Sequence, residues 1–219
     1  MLGLSDDIQG IQDVCNANGI ILLEDNCESL GSRVYGKLLG NFGTAATFSF
    51  FVGHHLSTIE GGMVCTDDEE LHDALVMARA HGWTRNVSPE RQQQLRAAHA
   101  IDSFYDRYTF YDLAYNFRPT ELQGVLGNEQ LQYWDEIVTK RAANFQAFQE
   151  TMRLNDDFHH LHTEHMDVVS NFAMPLVCTS KGRYEQYRRR FSDADVEIRP
   201  MIASSVTRQP FYRKYVRNI

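Results

Sequence analysis

Apolar positions recur along the chain with two periods, and the switches between them mark the elements. Ile8, Ile11, Val14 and Cys15 lie three and four apart. They predict a helix from about Asp6 to Asn18, capped by Ser5 and closed by Gly19. Ile20–Glu24 and Ala45–Phe51 are continuous apolar runs, the pattern of strands covered by helices on both faces. Met63–Thr66 reads as a further strand after the Gly61-Gly62 break. Between Gly31 and Gly43, Val34-Tyr35 and Lys37–Leu39 are short extended pieces, with Gly36 and Gly40 serving the turns. Acidic Asp67–Glu70 opens a helix that runs from about Glu69 to Ala80. Ser88–Ser103 is polar and Gln/Arg-rich, a helix or a mobile excursion. Thr120 caps one long helix from Glu121 to about Arg153, with Leu122, Val125, Leu126, Leu131 and Ile137 near helical spacing. Asn171–Val177 is predicted as a strand, and Gly182–Phe191 as a basic helix with Arg188–Arg190 on a solvated face. Asp193–Pro200 leads into a last strand. The alternation predicts an α/β fold.

Composition narrows the function. Of 219 residues, 43% are hydrophobic and 23% charged, an ordinary globular balance. The formal net charge of −8 and the lack of a Lys/Arg tract argue against nucleic acid as a partner. No window reaches the apolar length of a membrane span, and no secretory signal opens the sequence. A cytoplasmic location is expected. The four cysteines stand far apart with no CxxC, which predicts neither a zinc site nor disulfides. His159, His160, His162 and His165 crowd one loop, but nothing there fixes ligand spacing, so no metal site is expected.

The candidate chemistry gathers at strand ends. Asp25 ends the first apolar run, followed by Asn26-Cys27-Glu28-Ser29. Ser49 lies in the second run and leads into Gly53-His54-His55. In open α/β sheets ligands sit beyond the carboxyl ends of strands, so Asp25, Ser49 and His54 are expected at one crevice. A buried Asp there needs a cationic partner, such as a protonated pyridine nitrogen. Ser49 can donate to phosphate, and a histidine titrates near neutrality.

These motifs resemble the sugar aminotransferase family named for DegT, DnrJ, EryC1 and StrS. That family has an Asp strand end, a Ser-Phe-Phe run, then Lys and Gly-Glu-Gly-Gly. Here Ser49-Phe-Phe and Glu60-Gly-Gly align, and His54 occupies the position of the Schiff-base lysine. That replacement resembles the branch of 3-dehydratases acting on nucleotide-linked 4-keto-6-deoxy sugars. The resemblance implies a type I aminotransferase fold with a mixed, mostly parallel sheet. Residues 1–135 would form part of a large cofactor-binding domain, and 136–219 part of a small α+β domain. It implies pyridoxal or pyridoxamine phosphate held by Asp25, Glu28 and Ser49, with His54 as the catalytic base. Tyr115-Asn116-Phe117-Arg118-Pro119-Thr120-Glu121 resembles a loop whose Asn and Arg reach the partner's site in a homodimer. His81, Arg85 and Arg199 are implied to border the sugar nucleotide, and glutamate to be the amino donor. An iron–sulphur cluster is not expected, because no cysteine lies between Cys65 and Cys178.

Imidazole forms no stable imine with an aldehyde, so a histidine there implies a non-covalent cofactor and elimination in place of transamination. Two other readings remain at this stage. One is an aminotransferase using another lysine, with Lys37 the nearest; the other is a non-catalytic relative. Family members carry a long segment before the first helix, so the chain is expected to be a fragment or to have a miscalled start. Alone, it is expected to bind cofactor poorly, to catalyse nothing and to be weakly soluble or aggregate.

Overall fold

Asp7, not Ser5, caps the first helix, α1 (Ile8–Asn18): its carboxylate accepts from Gly10 N at 3.0 Å. An ionised Asp faces the positive helix end better than a hydroxyl does. Gly19 ends α1 in the left-handed conformation at φ 64°. The computed structural model describes residues 1–201 and 205–216 of the chain. It divides into two units, Met1–Thr151 with Leu161–Pro175, and Met152–His160 with the residues from Leu176 onward.

The first unit holds two small sheets. In one, β1 (Leu23–Asp25) runs parallel to β4 (Ala45–Ser49), and β4 pairs antiparallel with β5 (Gly62–Thr66). In the other, β2 (Arg33–Val34) lies between β3 (Lys37–Leu38) and β6 (Met166–Val168), all antiparallel. Sheet pairing is thus mixed, with one parallel pair among the described strands. Its core is Val34, Leu39 and Phe42, with Ile8 and Met166 packed against them.

Both apolar runs are shorter as strands than their sequences suggest. β1 begins only at Leu23, because its ladder partner begins at Ala45; Ile20 and Ile21 have no strand beside them and stand 56% and 73% exposed. β4 ends at Ser49, where the chain turns through Gly53 at φ 93°. The expected double cover is also absent. Glu24 and Ala46 are buried on one face, while on the other face Leu23 of β1 and Val64 of β5, opposite Thr47, stay open to solvent. Glu24 closes its side with hydrogen bonds instead of apolar packing. Its carboxylate accepts from Gly40 N (2.7 Å), Phe42 N (2.6 Å) and Gly43 N (2.6 Å), clamping the loop after β3. Gln12 of α1 donates to Phe42 O.

α2 (Glu69–Ala78) is capped by Asp68, and α3 (Pro89–Ala98) by Ser88 with Pro at its start. The predicted long helix is two helices, α4 (Glu121–Leu131) and α5 (Trp134–Met152). Tyr133 N bonds back three residues to Gln130 O at 3.0 Å, a tightened turn with no Gly or Pro to announce it. Thr120 does cap α4, in a reciprocal box with Gln123. Asn171–Val177 forms no strand; β6 precedes it, and Ser170 and Asn171 are buried coil.

In the second unit, α6 (Lys181–Asp193) is tied to the turn after α5 through Asp157. That carboxylate accepts from Tyr187 OH (2.8 Å) and pairs with Arg183 Nε (2.8 Å). Phe158 stacks against Tyr187 at 4.5 Å, and α7 (Pro210–Tyr215) follows. The last predicted strand falls partly on residues 202–204, outside the described residues.

Candidate active site

β1 and β4 are parallel neighbours, and Asp25 faces Thr47 in register, so Asp25, Thr47 and Ser49 share one face. The Asp25 carboxylate accepts from Cys27 N (3.2 Å) and Thr47 Oγ1 (3.3 Å). Those bonds, with the Cys27 thiol the largest influence, hold its pKa below the usual carboxylate range although partial burial opposes them. Asp25 therefore stays ionised and solvent-accessible at the strand end. Ser49 Oγ accepts from Phe51 N (3.2 Å), which leaves its hydroxyl hydrogen free to donate outward.

The turn after β4 bends back to β1. His54 Nδ1 lies 2.6 Å from Cys27 O. A carbonyl only accepts, so Nδ1 carries the hydrogen, and in the neutral ring the lone pair sits on Nε2. Phe172 packs on the imidazole at 4.7 Å between centroids, and Phe51 meets its edge at 6.2 Å. One residue, Cys27, thus links Asp25 through its amide and His54 through its carbonyl. The sequence reading missed Cys27, Thr47 and Phe172. Nothing in their spacing could have found them, because the link spans 27 residues and uses backbone atoms.

The loop carrying His54 is held from other sides as well. Gln130 of α4 accepts from Ser57 N (2.9 Å) and donates to Ser57 O (2.5 Å), and Gln123 donates to Glu60 O (2.6 Å). His55 is buried and donates from Nε2 to Ser170 O at 2.9 Å. Burial drives the His55 pKa down to about 4 although the hydrogen bond to Ser170 opposes it, and the Arg141 charge adds to the fall, so it is neutral in the fold.

The Glu28 carboxylate accepts from Leu2 N at 2.7 Å. His81, Arg85, Asn116 and Arg118 meet elsewhere in the unit, around Trp83. His81 adopts φ 61°, with its amide bonded to Tyr115 O at 2.7 Å, and its ring lies 4.6 Å from Trp83. The Arg85 guanidinium stacks on the Trp83 ring at 3.7 Å, and that of Arg118 lies 5.9 Å from it. Arg118 Nε donates to Asn116 Oδ1 (3.4 Å), and Asn116 bridges to Ala80. Two guanidiniums on one indole, without an ion pair among the described residues, suit an anion such as a phosphate. Arg199 belongs to the second unit, where it pairs with Glu197 at 2.8 Å. Lys37 sits in the other sheet with its ammonium 4.6 Å from the Phe42 ring. Among the described residues no three His, Cys, Asp or Glu side chains are grouped to hold a metal, and no helix is long and apolar enough to cross a membrane.

The donor set fits pyridoxal phosphate. A held-ionised carboxylate suits a protonated ring nitrogen, an outward hydroxyl suits a phosphate oxygen, and a lone-pair imidazole nitrogen suits proton transfer. The GDP-4-keto-6-deoxy-D-mannose 3-dehydratase of Yersinia pseudotuberculosis is 35% identical over 94% of this chain and 52% of its own length. The enzyme of that name from Escherichia coli, solved with bound hydrated pyridoxal phosphate, superposes with a TM-score of 0.83 at 29% identity, over 98% of this chain and 55% of that one. Another structure of a dehydratase of that name, with a trapped adduct of the cofactor and glutamate, gives 0.85 at 30%, over 98% of this chain and 55% of that one. The chain spans about half the length of the relatives it matches. A family model covers residues 1–219, and this chain belongs to the DegT/DnrJ/EryC1/StrS aminotransferase family.

Proposed function

We propose that this chain provides the proton-transfer half of a pyridoxal-phosphate-dependent 3-dehydratase for a nucleotide-linked 4-keto-6-deoxy sugar. Dideoxysugars of the lipopolysaccharide O-antigen are the products this implies. The observation that carries the reading is His54: an imidazole fixed through Nδ1 to Cys27 O, where the family's covalent lysine is expected. The relatives' names supply the substrate class, a GDP-linked 4-keto-6-deoxy-mannose.

When bound, the cofactor carries the amine that condenses with the sugar ketone and supplies the electron sink for elimination. Asp25 keeps the ring nitrogen protonated. Ser49 donates to the phosphate. With the cofactor bound, His54 Nε2 would be placed to take up a proton as base, and the resulting imidazolium would give one to the departing C3 hydroxyl. Glutamate serves as amino donor. Overall, the C3 carbon loses its hydroxyl and gains a hydrogen, and glutamate is oxidised to 2-oxoglutarate with release of ammonia. In a homodimer, Asn116 and Arg118 would reach the partner's site, while His81, Arg85 and Arg199 would border the nucleotide. A cytoplasmic enzyme without an iron–sulphur cluster is the form proposed.

The test supplies the 4-keto-6-deoxy sugar nucleotide, glutamate and cofactor to a full-length form that contains this chain. The expected product is 16 Da lighter than its substrate, with ammonia and 2-oxoglutarate released in equal amounts, roughly, as the reaction's balance requires. His54→Asn should lower the rate by on the order of 10²–10⁴-fold. A product that keeps glutamate's nitrogen as a sugar amine would make the chain an aminotransferase instead.

A further inference from the structure

We propose that His55 is a positioning residue for His54: it fixes the tautomer and seat of the neighbouring imidazole through Ser170 and Phe172. The proposal rests on the reading of His54 as the proton-transferring group.

The geometry forms a closed circuit. His55 is 5% exposed and donates from Nε2 to Ser170 O at 2.9 Å. Ser170 is itself immobilised. Its amide donates to Ser32 Oγ (3.0 Å), and Ser32 donates on to Gly3 O (2.8 Å). A Cβ on Gly3 would lie 2.5 Å from Asn171 Cα, so only glycine lets the two backbones approach this closely. Arg141 Nη1 donates to Asn171 O at 2.8 Å. Two residues beyond Ser170, Phe172 packs on the His54 ring at 4.7 Å, and its amide donates to Leu2 O (3.0 Å). The Ser170–Phe172 segment is therefore a post that His55 grips and that walls His54. Cys27 O at Nδ1 and Phe172 against the ring hold His54 from two sides.

The cost of this arrangement argues against a packing role alone. His55 Nδ1 is buried without a protein partner among the described residues. An orphaned buried polar atom is destabilising, and an apolar side chain would fill the same space without it. What the imidazole adds is one directed hydrogen bond to Ser170.

The experiment labels the histidines of the full chain with ¹⁵N and reads ring tautomers from long-range ¹H–¹⁵N correlations. His54 should be the Nδ1–H tautomer, the opposite of what free histidine prefers. In His55→Gln the amide still reaches Ser170 O, and the His54 signature should persist. In His55→Asn the amide falls short, and His54 should move to predominantly Nε2–H. His165, which donates from Nε2 to Ser5 O at 2.9 Å, reports whether the fold is kept. His54 remaining Nδ1–H in His55→Asn, with His165 unchanged, overturns the proposal. If His55→Asn loses the His165 signature, Ser32→Ala loosens Ser170 from its other side and carries the same two outcomes. A sugar product that retains nitrogen would overturn the dehydratase reading and leave these tautomers untouched. Tautomers indifferent to residue 55 would end the positioning role and leave the dehydratase reading standing.

Discussion

At His55, burial and a single hydrogen bond act on one imidazole, and the balance sets how the unit responds to acid. Its folded pKa of about 4 lies below the ordinary 6.5. Above pH 6.5 the ring is neutral folded and unfolded, and it contributes no pH dependence. As pH falls from 6.5 to 4, the unfolded chain takes up the proton first, so stability is lost across that window, on the order of 3 kcal/mol in all. Urea unfolding at pH 7.5 and 4.5 should show this loss in the wild type and a smaller one in His55→Gln. Equal losses in both proteins would contradict the assignment. Sequence could point to His54 and Asp25 because a family pattern marks them. It could not tell which of two adjacent histidines is buried, since that depends on Ser170, 115 residues away. Nor did it show that the Glu28 carboxylate bonds Leu2 N, a contact across a turn that no periodicity encodes.

Elements read well where capping and pattern agree and poorly where tertiary partners decide. α1, α2, α4 and α6 start near capping side chains visible in the sequence. The break between α4 and α5 carries no local signal, and β1 is shortened by the length of its partner. The turn after α2 is the element on which the second cluster depends. Gly82 sits at φ 78°, and a Cβ there would lie 2.4 Å from Asp112 O. Gly82→Ala must therefore move the turn that presents His81, Trp83 and Arg85. We expect a loss of at least about 1 kcal/mol in stability and a shifted emission from Trp83, read with Trp134→Phe as background. Unchanged emission and stability would show that the turn tolerates a side chain and that the Trp83 cluster does not depend on it.

At the scale of the first unit, one sheet face carries open apolar side chains: Leu23 is 66% exposed and Val64 47%, the kind of surface expected of double-covered apolar strands that stand without their neighbours. Apolar strands with free edges bind dyes and one another. The chain should enhance anilinonaphthalene sulfonate fluorescence and self-associate with concentration, and Leu23→Lys should reduce both; a monomer that ignores the dye would mean the face is covered in solution. The fold class was legible because alternating patterns and motif residues agreed. The convergence of Asp25, Ser49 and His54 rests on the parallel β1–β4 pair, which strand order alone does not state. The central claim is that a histidine stands where a covalent lysine is expected. Borohydride reduction of a full-length form with stoichiometric pyridoxal phosphate, followed by peptide mass mapping, tests it most directly. The account predicts no pyridoxyl group on any lysine of the wild type and a single one at residue 54 in His54→Lys. A stoichiometric pyridoxyl group on a wild-type lysine, Lys37 included, would contradict it.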